Sequence, residues 1–331
     1  MLNEFKRIHF VGIGGYGMSA LALILLEAGY SVRGSDIKNS SLTEFLREKG
    51  AKIYLGHSAD QLEDAQLVIY STAIPLHNPE IVAAGVRGIP LWHRSELLAA
   101  VLNNKFSIAV AGTHGKTTTT AMLSLMMEKA GLDPTSIIGG EVSFFQGNAR
   151  LGKSKYIVAE ACESDHSFLK YRPYLALVTN IEADHLEHYN GSFKKLVRSY
   201  HTFINNVQKG GTAVICGDDP VLRKLRPELA PSVLTYGFTD GLDVRGAGME
   251  LLGLGSSFQV YFKHKHLGKI SLNVPGIHNA FNALGAVAVG LLLEIDFSLI
   301  QEALLSFSGV KRRFEIIGEK EGVMFVDDYA H

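Results

Sequence analysis

Short apolar runs alternate with longer amphipathic stretches along the first part of the chain. The runs that predict strands are Ile8–Val11, Ser31–Gly34, Lys52–Tyr54 and Leu67–Ser71. The stretches that predict helices are Gly17–Ala28, Leu42–Lys49 and Arg94–Leu102. Because strands that alternate with helices form parallel sheets covered by helices, residues 1–104 are predicted to form an α/β domain with a parallel sheet.

A looser alternation begins after the polar residues 103–105 and continues to about residue 322. Its predicted strands are Ser107–Val110, Tyr156–Ala159, Leu175–Thr179 and Thr212–Ile215, and its predicted helices are Thr119–Ala130, Ser192–Val207 and His278–Leu293. Ser257–Lys263 and Lys269–Val274 predict an antiparallel pair joined through His264–Gly268. The whole pattern is that of an α/β protein with more than one domain.

The composition is that of an ordinary globular protein, with 47% hydrophobic and 20% charged residues among 331. A formal net charge of −1 provides no basic footprint for nucleic acid. The first residues lack the order of a signal peptide, and the longest apolar run, Ala283–Leu293, is shorter than the roughly 20 residues that a bilayer requires. Cys162 and Cys216 show no metal-binding spacing and are expected to be buried, inert thiols. We therefore expect a soluble cytoplasmic protein without membrane insertion.

The most informative motif is Gly-Thr-His-Gly-Lys-Thr-Thr, which lies between a predicted strand and a predicted helix. A glycine turn at a helix N-terminus presents backbone N–H groups and a partial positive charge to a phosphate. Lys116 can reach a β- or γ-phosphate, and the Thr117 hydroxyl can hold Mg²⁺. The loop is shorter than the usual P-loop, because Val110 stands where that motif has its first glycine. The context favours an ATP site over an ordinary turn, and its residues are Gly112, Thr113, His114, Gly115, Lys116, Thr117 and Thr118.

A second glycine-rich segment, residues 12–17, follows the first predicted strand and matches Gly-x-Gly-x-x-Gly. Asp36 ends the next strand, where a carboxylate can accept from a ribose hydroxyl. Alone, this pattern indicates NAD. It requires only a diphosphate at a helix N-terminus, however, and a UDP-sugar supplies one equally well. A tight turn without a ligand is the remaining alternative.

Two segments with candidate metal ligands follow predicted strands of the second region. Glu160-Ala161-Cys162-Glu163-Ser164-Asp165 follows one strand, where one carboxylate could hold Mg²⁺ beside a transferred phosphate. A solvated acidic loop is the alternative. Residues 179–185 follow another strand and end in Asp184-His185, where the histidine could bind a metal or be structural. His188 is expected at the surface.

Polar residues also occur near the end of the chain. Asn279 opens a predicted helix and could either cap it or pair with an adenine edge. Arg312 and Arg313 precede a strand and suit phosphate oxygens, the alternative being a solvated basic pair. The chain stops at Asp327-Asp328-Tyr329-Ala330-His331, directly after the predicted strand Val323–Val326, which we interpret as a sign of truncation.

The order of these motifs resembles that of the Mur ligases. They lie at residues 12–19, 112–118, 163–165, 179–185, 278–282, 312–314 and 327–331, so the resemblance covers essentially the whole chain. It implies a Rossmann-like UDP-sugar domain over 1–104, a P-loop ATPase-type α/β central domain over 105–322, and a hinge over 323–331 that leads to a missing C-terminal domain. The implied reaction is ATP-dependent amide formation through an acyl phosphate. The segment 12–19 is most similar to members that join L-alanine to UDP-N-acetylmuramate.

The resemblance implies roles for individual residues of the ATP site. Lys116 would stabilise the transferred phosphoryl group. Thr117, Glu163 and His185 would be the Mg²⁺ ligands, with Glu163 preferred over Glu160 because it matches the family's Glu-Ser-Asp. The implied catalytic residues are Lys116, Glu163 and His185.

The resemblance also implies contacts with the two nucleotides. Asn279 would face adenine, Arg313 a phosphate, and Asp328 the ribose or the hinge. The candidates for the uridine diphosphate are Gly14, Gly15, Asp36, Ser71 and Thr72.

Three other functions compete with this interpretation. An NAD(P)-dependent dehydrogenase would use residues 12–17 and Asp36 but leaves the loop at 112–118 unexplained. A non-catalytic nucleotide-binding module would bind without turnover. A sister ligase would attach another amino acid or a preformed peptide. If the third domain is absent, we expect no useful amide formation by this chain.

Overall fold

Two sheets, one in each half of the chain, provide the framework of the molecule. The computed structural model describes residue 2, residues 4–145 and residues 147–329. The strands of the first sheet are β1 (Arg7–Val11), β2 (Ser31–Asp36), β3 (Lys52–Leu55), β4 (Leu67–Tyr70) and β5 (Leu91–His93). They lie in the order β3-β2-β1-β4-β5, and every neighbouring pair is parallel. This is the strand arrangement of a doubly wound, Rossmann-like domain.

The helices of the first half are α1 (Tyr16–Glu27), α2 (Ser41–Glu48), α3 (Pro79–Val86) and α4 (Arg94–Leu102), with a one-turn 3₁₀ helix at Ala59–Leu62. Each element predicted here is present, with its ends within two residues of the prediction. The sequence interpretation omitted α3 and β5. The N-terminus of α3 is capped by Asn78, whose side chain accepts from Glu80 N at 2.9 Å. Its pattern was weak because Val82 and Val86 are exposed.

The second sheet has ten strands. They are β6 (Phe106–Ala111), β7 (Thr135–Val142), β8 (Gly147–Arg150), β9 (Tyr156–Glu160), β10 (Leu175–Val178), β11 (Thr212–Cys216), β12 (Ser232–Gly237), β13 (Val244–Leu252), β14 (Gly255–Phe262) and β15 (Lys265–Leu272). Their order is β15-β14-β13-β12-β11-β10-β6-β9-β7-β8. Because β6 lies between β10 and β9 and is parallel to both, the segments that follow these three strands meet at one edge of the sheet.

The helices of the second half are α5 (Lys116–Lys129), α6 (Phe193–Asn205), α7 (Pro220–Leu225), α8 (Ile277–Leu292) and α9 (Phe297–Leu305). One-turn 3₁₀ helices occur at Ser167–Lys170, Leu186–Tyr189 and Arg226–Glu228. The predicted helix after the 112–118 loop is present but begins three residues earlier, at Lys116, so the lysine is its first residue. Strands β7, β8, β12 and β13 and helices α7 and α9 were not predicted.

The predicted antiparallel pair is present, but its connection was wrong. The strands β14 and β15 are joined by a two-residue turn, Lys263-His264, rather than by residues 264–268. Both turn residues have positive φ, 46° and 71°. Such turns match the right-handed twist of the flanking strands, so a tight hairpin forms although neither residue is glycine. The second strand therefore begins at Lys265, four residues before the predicted start.

The two halves pack directly on each other through α1, and one buried apolar cluster spans both. Helix α1 lies against β7 and β8. Asn148 Nδ2 donates to Tyr16 O at 2.6 Å, and Glu27 Oε2 accepts from Leu151 N at 3.0 Å. The glycine-rich loop that precedes α1 is therefore attached to the second sheet through its own helix. The first sheet ends at His93 and the second begins at Phe106, while the domain boundaries remain a prediction.

A two-stranded antiparallel ribbon follows α9. It consists of β16 (Glu315–Lys320) and β17 (Val323–Asp327). The strand predicted at 323–326 is thus present, and the Arg-Arg pair precedes a strand as predicted. Ala330 and His331 of the terminal motif lie outside the described residues. Over the described part of the chain, no helix combines the length and apolar character needed to cross a bilayer.

Candidate functional site

The loop at residues 112–118 joins β6 to α5, as the motif predicts, and two of its positions strongly favour glycine. Gly115 is the N-cap of α5, with a φ of 84°, and a Cβ at that position would collide with Asn282 Oδ1. Gly112 has a φ of 139°, and its Cβ would collide with Thr179 Oγ1. The loop backbone therefore passes close to α8 and to the segment that follows β10.

Side chains of the segment after β10 hold the centre of this loop. Asn180 Oδ1 accepts from His114 N at 2.9 Å, and Asn180 Nδ2 donates to His114 O at 3.0 Å. Thr179 Oγ1 donates to the same carbonyl at 2.6 Å. The Thr-Asn pair of the 179–185 motif thus fixes the shape of the loop at residues 112–118, a role that the sequence interpretation did not assign.

Lys116 is folded back over its own loop. Its ammonium donates to Gly112 O at 2.6 Å, to Thr113 O at 3.0 Å and to Glu163 Oε1 at 3.0 Å. The lysine side chain is 16% exposed and that of Glu163 only 2%, so the ion pair is largely shielded from water. A cation held at the mouth of a glycine turn suits a phosphate, whose oxygens can replace the carbonyl acceptors.

Glu160, the last residue of β9, is the carboxylate that contacts the loop threonine. Thr117 Oγ1 donates to Glu160 Oε2 at 3.2 Å, and Gly139 N donates to Glu160 Oε1. Desolvation raises the pKa of Glu160, and the opposing influence of the Gly139 amide, Lys116 and Arg313 is smaller. Because burial destabilises the charged form of this carboxylate, a cation placed beside it would stabilise that form.

Both acidic residues of the segment after β9 therefore face the loop, in different ways. The sequence interpretation preferred Glu163 over Glu160 as the Mg²⁺ ligand. In the structure, Glu160 contacts the hydroxyl of Thr117 and Glu163 contacts the ammonium of Lys116. Among the described residues, no three His, Cys, Asp or Glu side chains converge on one point. A threonine and one or two carboxylates still suit Mg²⁺, because this ion retains waters and takes phosphate oxygens as its other ligands.

His185 lies in the segment after β10, with a left-handed backbone (φ 52°). Its ring approaches two carboxylates of its own segment, Asp184 at 3.8 Å and Glu187 at 3.6 Å. The side chain is 28% exposed. Its role as a metal ligand stays a prediction. His188 is exposed, as predicted.

The predicted adenine residue Asn279 does not cap α8, because the N-cap is Gly276. Asn279 is nearly buried, and its side chain donates to Pro275 O at 2.7 Å and accepts from Asn282 Nδ2 at 3.2 Å. Asn282 in turn lies against Gly115. The two asparagines of the His-Asn-x-x-Asn motif thus connect the start of α8 with the loop at residues 112–118.

Arg313 and Asp328 lie at the base of the terminal ribbon. Arg313 Nη1 donates to Tyr329 O at 3.2 Å, and Asp328 Oδ2 accepts from Phe314 N at 2.7 Å. Arg313 also partly offsets the rise in the pKa of Glu160 that burial causes. Burial lowers the pKa of His278, at the start of α8, below its usual value, and the negative charge of Asp328 offsets only part of this. Residues that are far apart in sequence therefore surround one region at the edge of the second sheet.

The candidate diphosphate loop, residues 12–17, lies between β1 and α1. Asp36 Oδ2 accepts from Gly14 N at 2.9 Å, and a Cβ at Gly14 would lie 2.9 Å from the same oxygen. Gly15 is the N-cap of α1, with an extended backbone and no side-chain cap. Ser71 and Thr72 follow β4 at the same edge of the sheet, half-buried and exposed respectively. The five predicted residues thus lie at the carboxyl ends of three neighbouring parallel strands.

The two cysteines are free. Cys216 is buried in the sheet, where desolvation raises its pKa to about 11. Cys162 is half-buried and hydrogen-bonded to Ser164, and burial also raises its pKa. Neither thiol is activated, as predicted.

Comparison with known proteins places this geometry in a family. Residues 7–106 match the description "Mur ligase family, catalytic domain", and residues 110–290 match "Mur ligase middle domain". The chain belongs to the Mur ligase family. The second match alone covers more than half of the chain, and the glycine loops of both halves lie within the matched residues.

The relatives of this Mur ligase share its whole length. It is 45% identical over 331 residues to the UDP-N-acetylmuramate–L-alanine ligase of Trichlorobacter lovleyi, covering all of this chain and 73% of that protein. It is 46% identical to the protein of the same name from Pelobacter propionicus, of which it covers 72%. The crystal structure of the UDP-N-acetylmuramate–alanine ligase of Thermotoga maritima superposes with a TM-score of 0.87 at 34% identity, covering 98% of this chain and 74% of that one.

A ligase with a different acceptor is also similar. The UDP-N-acetylmuramate:L-alanyl-γ-D-glutamyl-meso-diaminopimelate ligase of Neisseria meningitides superposes with a TM-score of 0.84 at 31% identity, covering 93% of this chain and all of that one. The α/β fold predicted for both halves is confirmed by these superpositions.

Proposed function

We propose that this Mur ligase takes part in ATP-dependent joining of L-alanine to UDP-N-acetylmuramate, a step of peptidoglycan precursor synthesis. The observation that carries the proposal is the Lys116 ammonium, held at a glycine loop between carbonyls and a shielded carboxylate. Curated relatives named for the alanine reaction are 45–46% identical along the entire chain, and the solved alanine and peptide ligases are 34% and 31% identical. The curated relatives therefore favour alanine over a preformed peptide as the acceptor.

The loop residues and Lys116 would position ATP. The first N–H groups of α5 face forward from the helix and lack partners within it, so they suit phosphate oxygens. Phosphorylation of the lactyl carboxylate brings two anions together, and Lys116 would lower their repulsion. Glu163 would orient Lys116 before the phosphate arrives. Asn279 near adenine and Arg313 near a phosphate remain our expectation.

Thr117 and Glu160 would hold Mg²⁺, with Glu163 and His185 as further candidate ligands. This places Glu160 ahead of Glu163, because Glu160 contacts the threonine hydroxyl directly. When bound, the ion would neutralise charge on the β- and γ-phosphates. The desolvated carboxylate of Glu160 is the feature of the chain that fits a cation here.

The first half would bind the uridine nucleotide at Gly14, Gly15, Asp36, Ser71 and Thr72. A nicotinamide nucleotide is the competing ligand of such a loop. The family assignment and the second phosphate loop argue against it, because a dehydrogenase has no use for Lys116 and its carboxylates.

Calorimetric titration of this chain with UDP-N-acetylmuramate, and in parallel with NADH, tests the proposal. We expect the sugar nucleotide to bind and NADH to show no heat of binding. ATP hydrolysis that requires UDP-N-acetylmuramate would then distinguish an enzyme from a passive binding module. Binding of NADH alone would overturn the proposal.

A further inference from the structure

Arg94 lies where the two halves of the molecule meet, and its guanidinium lies between Asp165 of the second half and Gly17 of the first. It is the first residue of α4, the last helix of the first half. Its Nη2 donates to Asp165 Oδ2 at 2.7 Å, in the segment that carries Glu163. The two side chains are 23% and 9% exposed, so this ion pair is better shielded than an ordinary surface pair.

The other end of the guanidinium lies beside the candidate diphosphate loop. A methyl group added at Gly17, in the first turn of α1, would lie 3.3 Å from Arg94 Nη1. Among the described residues, Nη1 donates to no protein acceptor. An arginine has five N–H donors in a planar fork, so one edge can hold a carboxylate while the other faces an anion.

The carboxylate that holds Arg94 is itself fixed. Asp165 Oδ1 accepts from Ser167 N at 3.0 Å, so its second oxygen is presented to the guanidinium. Burial opposes the charge of Asp165, but Arg94 and the hydrogen bonds from Ser167 outweigh it and leave its pKa below the usual value. At the other end of α4, Asn103 Oδ1 accepts from Arg172 N at 2.8 Å, which attaches the helix to the second half a second time.

We propose that Arg94 donates from Nη1 to a phosphate of the uridine nucleotide bound at residues 12–17, and that Asp165 of the second half aims it there. The inference rests on the proposed function and adds a residue to it. The loop at 12–17 contains no cation of its own, and Arg94, from another helix of the same half, supplies one. Asp165 is then a positioning residue, because it acts through Arg94.

The test compares R94M with R87M by calorimetry. Arg87 is an exposed arginine of the same half, at the C-terminus of α3, and serves as the matched control. We expect R94M to bind UDP-N-acetylmuramate about ten- to a hundredfold more weakly than the unmodified chain, the usual loss for a charged hydrogen bond. R87M should bind within twofold, and both variants should bind ADP as the unmodified chain does.

Uridine, which lacks both phosphates, separates a phosphate contact from a general disturbance of the fold. R94M should bind uridine, measured by competition, within twofold of the unmodified chain. D165N keeps the acceptor for Ser167 but removes the charge that holds Arg94. It should weaken UDP-N-acetylmuramate binding about fivefold alone and add nothing in an R94M background.

Different binding results would overturn the proposed function and the inference about Arg94. If the unmodified chain binds no uridine nucleotide, the proposed function fails irrespective of Arg94. If the unmodified chain binds but R94M binds equally well, only the inference about Arg94 is overturned. Equal losses for uridine and UDP-N-acetylmuramate would likewise overturn it, as would additive effects of R94M and D165N.

Discussion

The two glycine-rich loops of this Mur ligase begin from the same backbone plan but differ in their side chains. Each follows a strand of a parallel sheet and precedes a helix. The loop at 112–118 includes Lys116, with Glu160 and Glu163 beside it. The loop at 12–17 includes no charged residue, and the carboxylate beside it, that of Asp36, accepts a hydrogen bond from Gly14 N of the loop. A helix N-terminus with one arginine nearby would suit the binding of a phosphate, whereas the lysine and the two carboxylates of the second loop would suit the transfer of one.

The largest expected effect is that of removing the cation from the second loop. K116A should leave the fold intact and lower UDP-N-acetylmuramate-dependent phosphate release from ATP by about a thousandfold. Binding of UDP-N-acetylmuramate itself should be unchanged, because the first loop does not use this lysine. An unchanged ATPase rate would show that the second loop is not a phosphoryl-transfer site.

Steric closure of the second loop gives the next largest effect. The alanine of G115A would have to keep a φ of 84° and would place its Cβ against Asn282. We therefore expect ADP binding to be lost and the free energy of unfolding to fall by about 2–3 kcal/mol. Gly50 has a φ of 103° but no atom within 4 Å of its Cβ position. G50A should therefore cost only about 1 kcal/mol and keep ADP binding. Chemical unfolding and calorimetry measure both, and equal losses in the two variants would mean that the contact with α8 is unimportant.

Substitution of Glu160 and of Glu163 tests which carboxylate supports the reaction at the second loop and which supports ATP binding. E160Q should lower the ATPase rate about a hundredfold, because Thr117 loses its charged partner. E163Q should act mainly on ATP binding, by releasing Lys116. E182Q, at an exposed position of the neighbouring segment, is the control. If E163Q lowers the rate and E160Q does not, the order of the two ligands must be reversed.

The smallest effect concerns a buried carboxylate that faces no ligand. Glu80 accepts from Ser35 Oγ at 2.5 Å and lies 3.1 Å from His57 and 3.3 Å from His9, with no side-chain exposure. Burial raises its pKa, but the contacts with His9 and Ser35 outweigh this and leave the pKa below 4.5.

The sign of the resulting pH dependence follows from that lowered pKa. The charged carboxylate stabilises the fold above its unfolded pKa, and this contribution is lost as the pH falls through the lower folded value. We expect E80Q to lose about 2 kcal/mol at pH 7 and less at pH 3, measured by urea unfolding. A loss that does not depend on pH would mean that Glu80 is not ionised in the folded protein.

Much of the fold was predictable from sequence because most of the predicted strands are short apolar runs that alternate with helical patterns. The elements that were missed had weaker patterns. Helix α3 exposes two valines, and β7 contains two adjacent glycines. The hairpin turn at Lys263-His264 was hidden because no glycine marks it. In each case the tertiary setting, and not the local sequence, decided the structure.

The candidate site was predictable as a set of motifs but not as a set of contacts. Sequence spacing placed Glu160, Glu163 and Lys116 at one sheet edge. It could not show that Glu160 contacts Thr117 and that Glu163 contacts Lys116, because that depends on side-chain direction at the end of β9. Arg94 gave no signal, since its partners lie on other elements of the chain and meet it only after folding.

The terminal ribbon has a consequence for local stability. Ile316, Ile317, Val323 and Phe325 of its two strands are exposed, so little apolar burial supports its hydrogen bonds. Its backbone amides should therefore exchange with deuterium in openings far smaller than global unfolding, while those of β6 exchange only when the whole sheet opens. Since Arg313 and Asp328 flank this ribbon, a nucleotide that engages them would slow its exchange, and the ribbon would then report occupancy of a site to which its strands contribute no ligand.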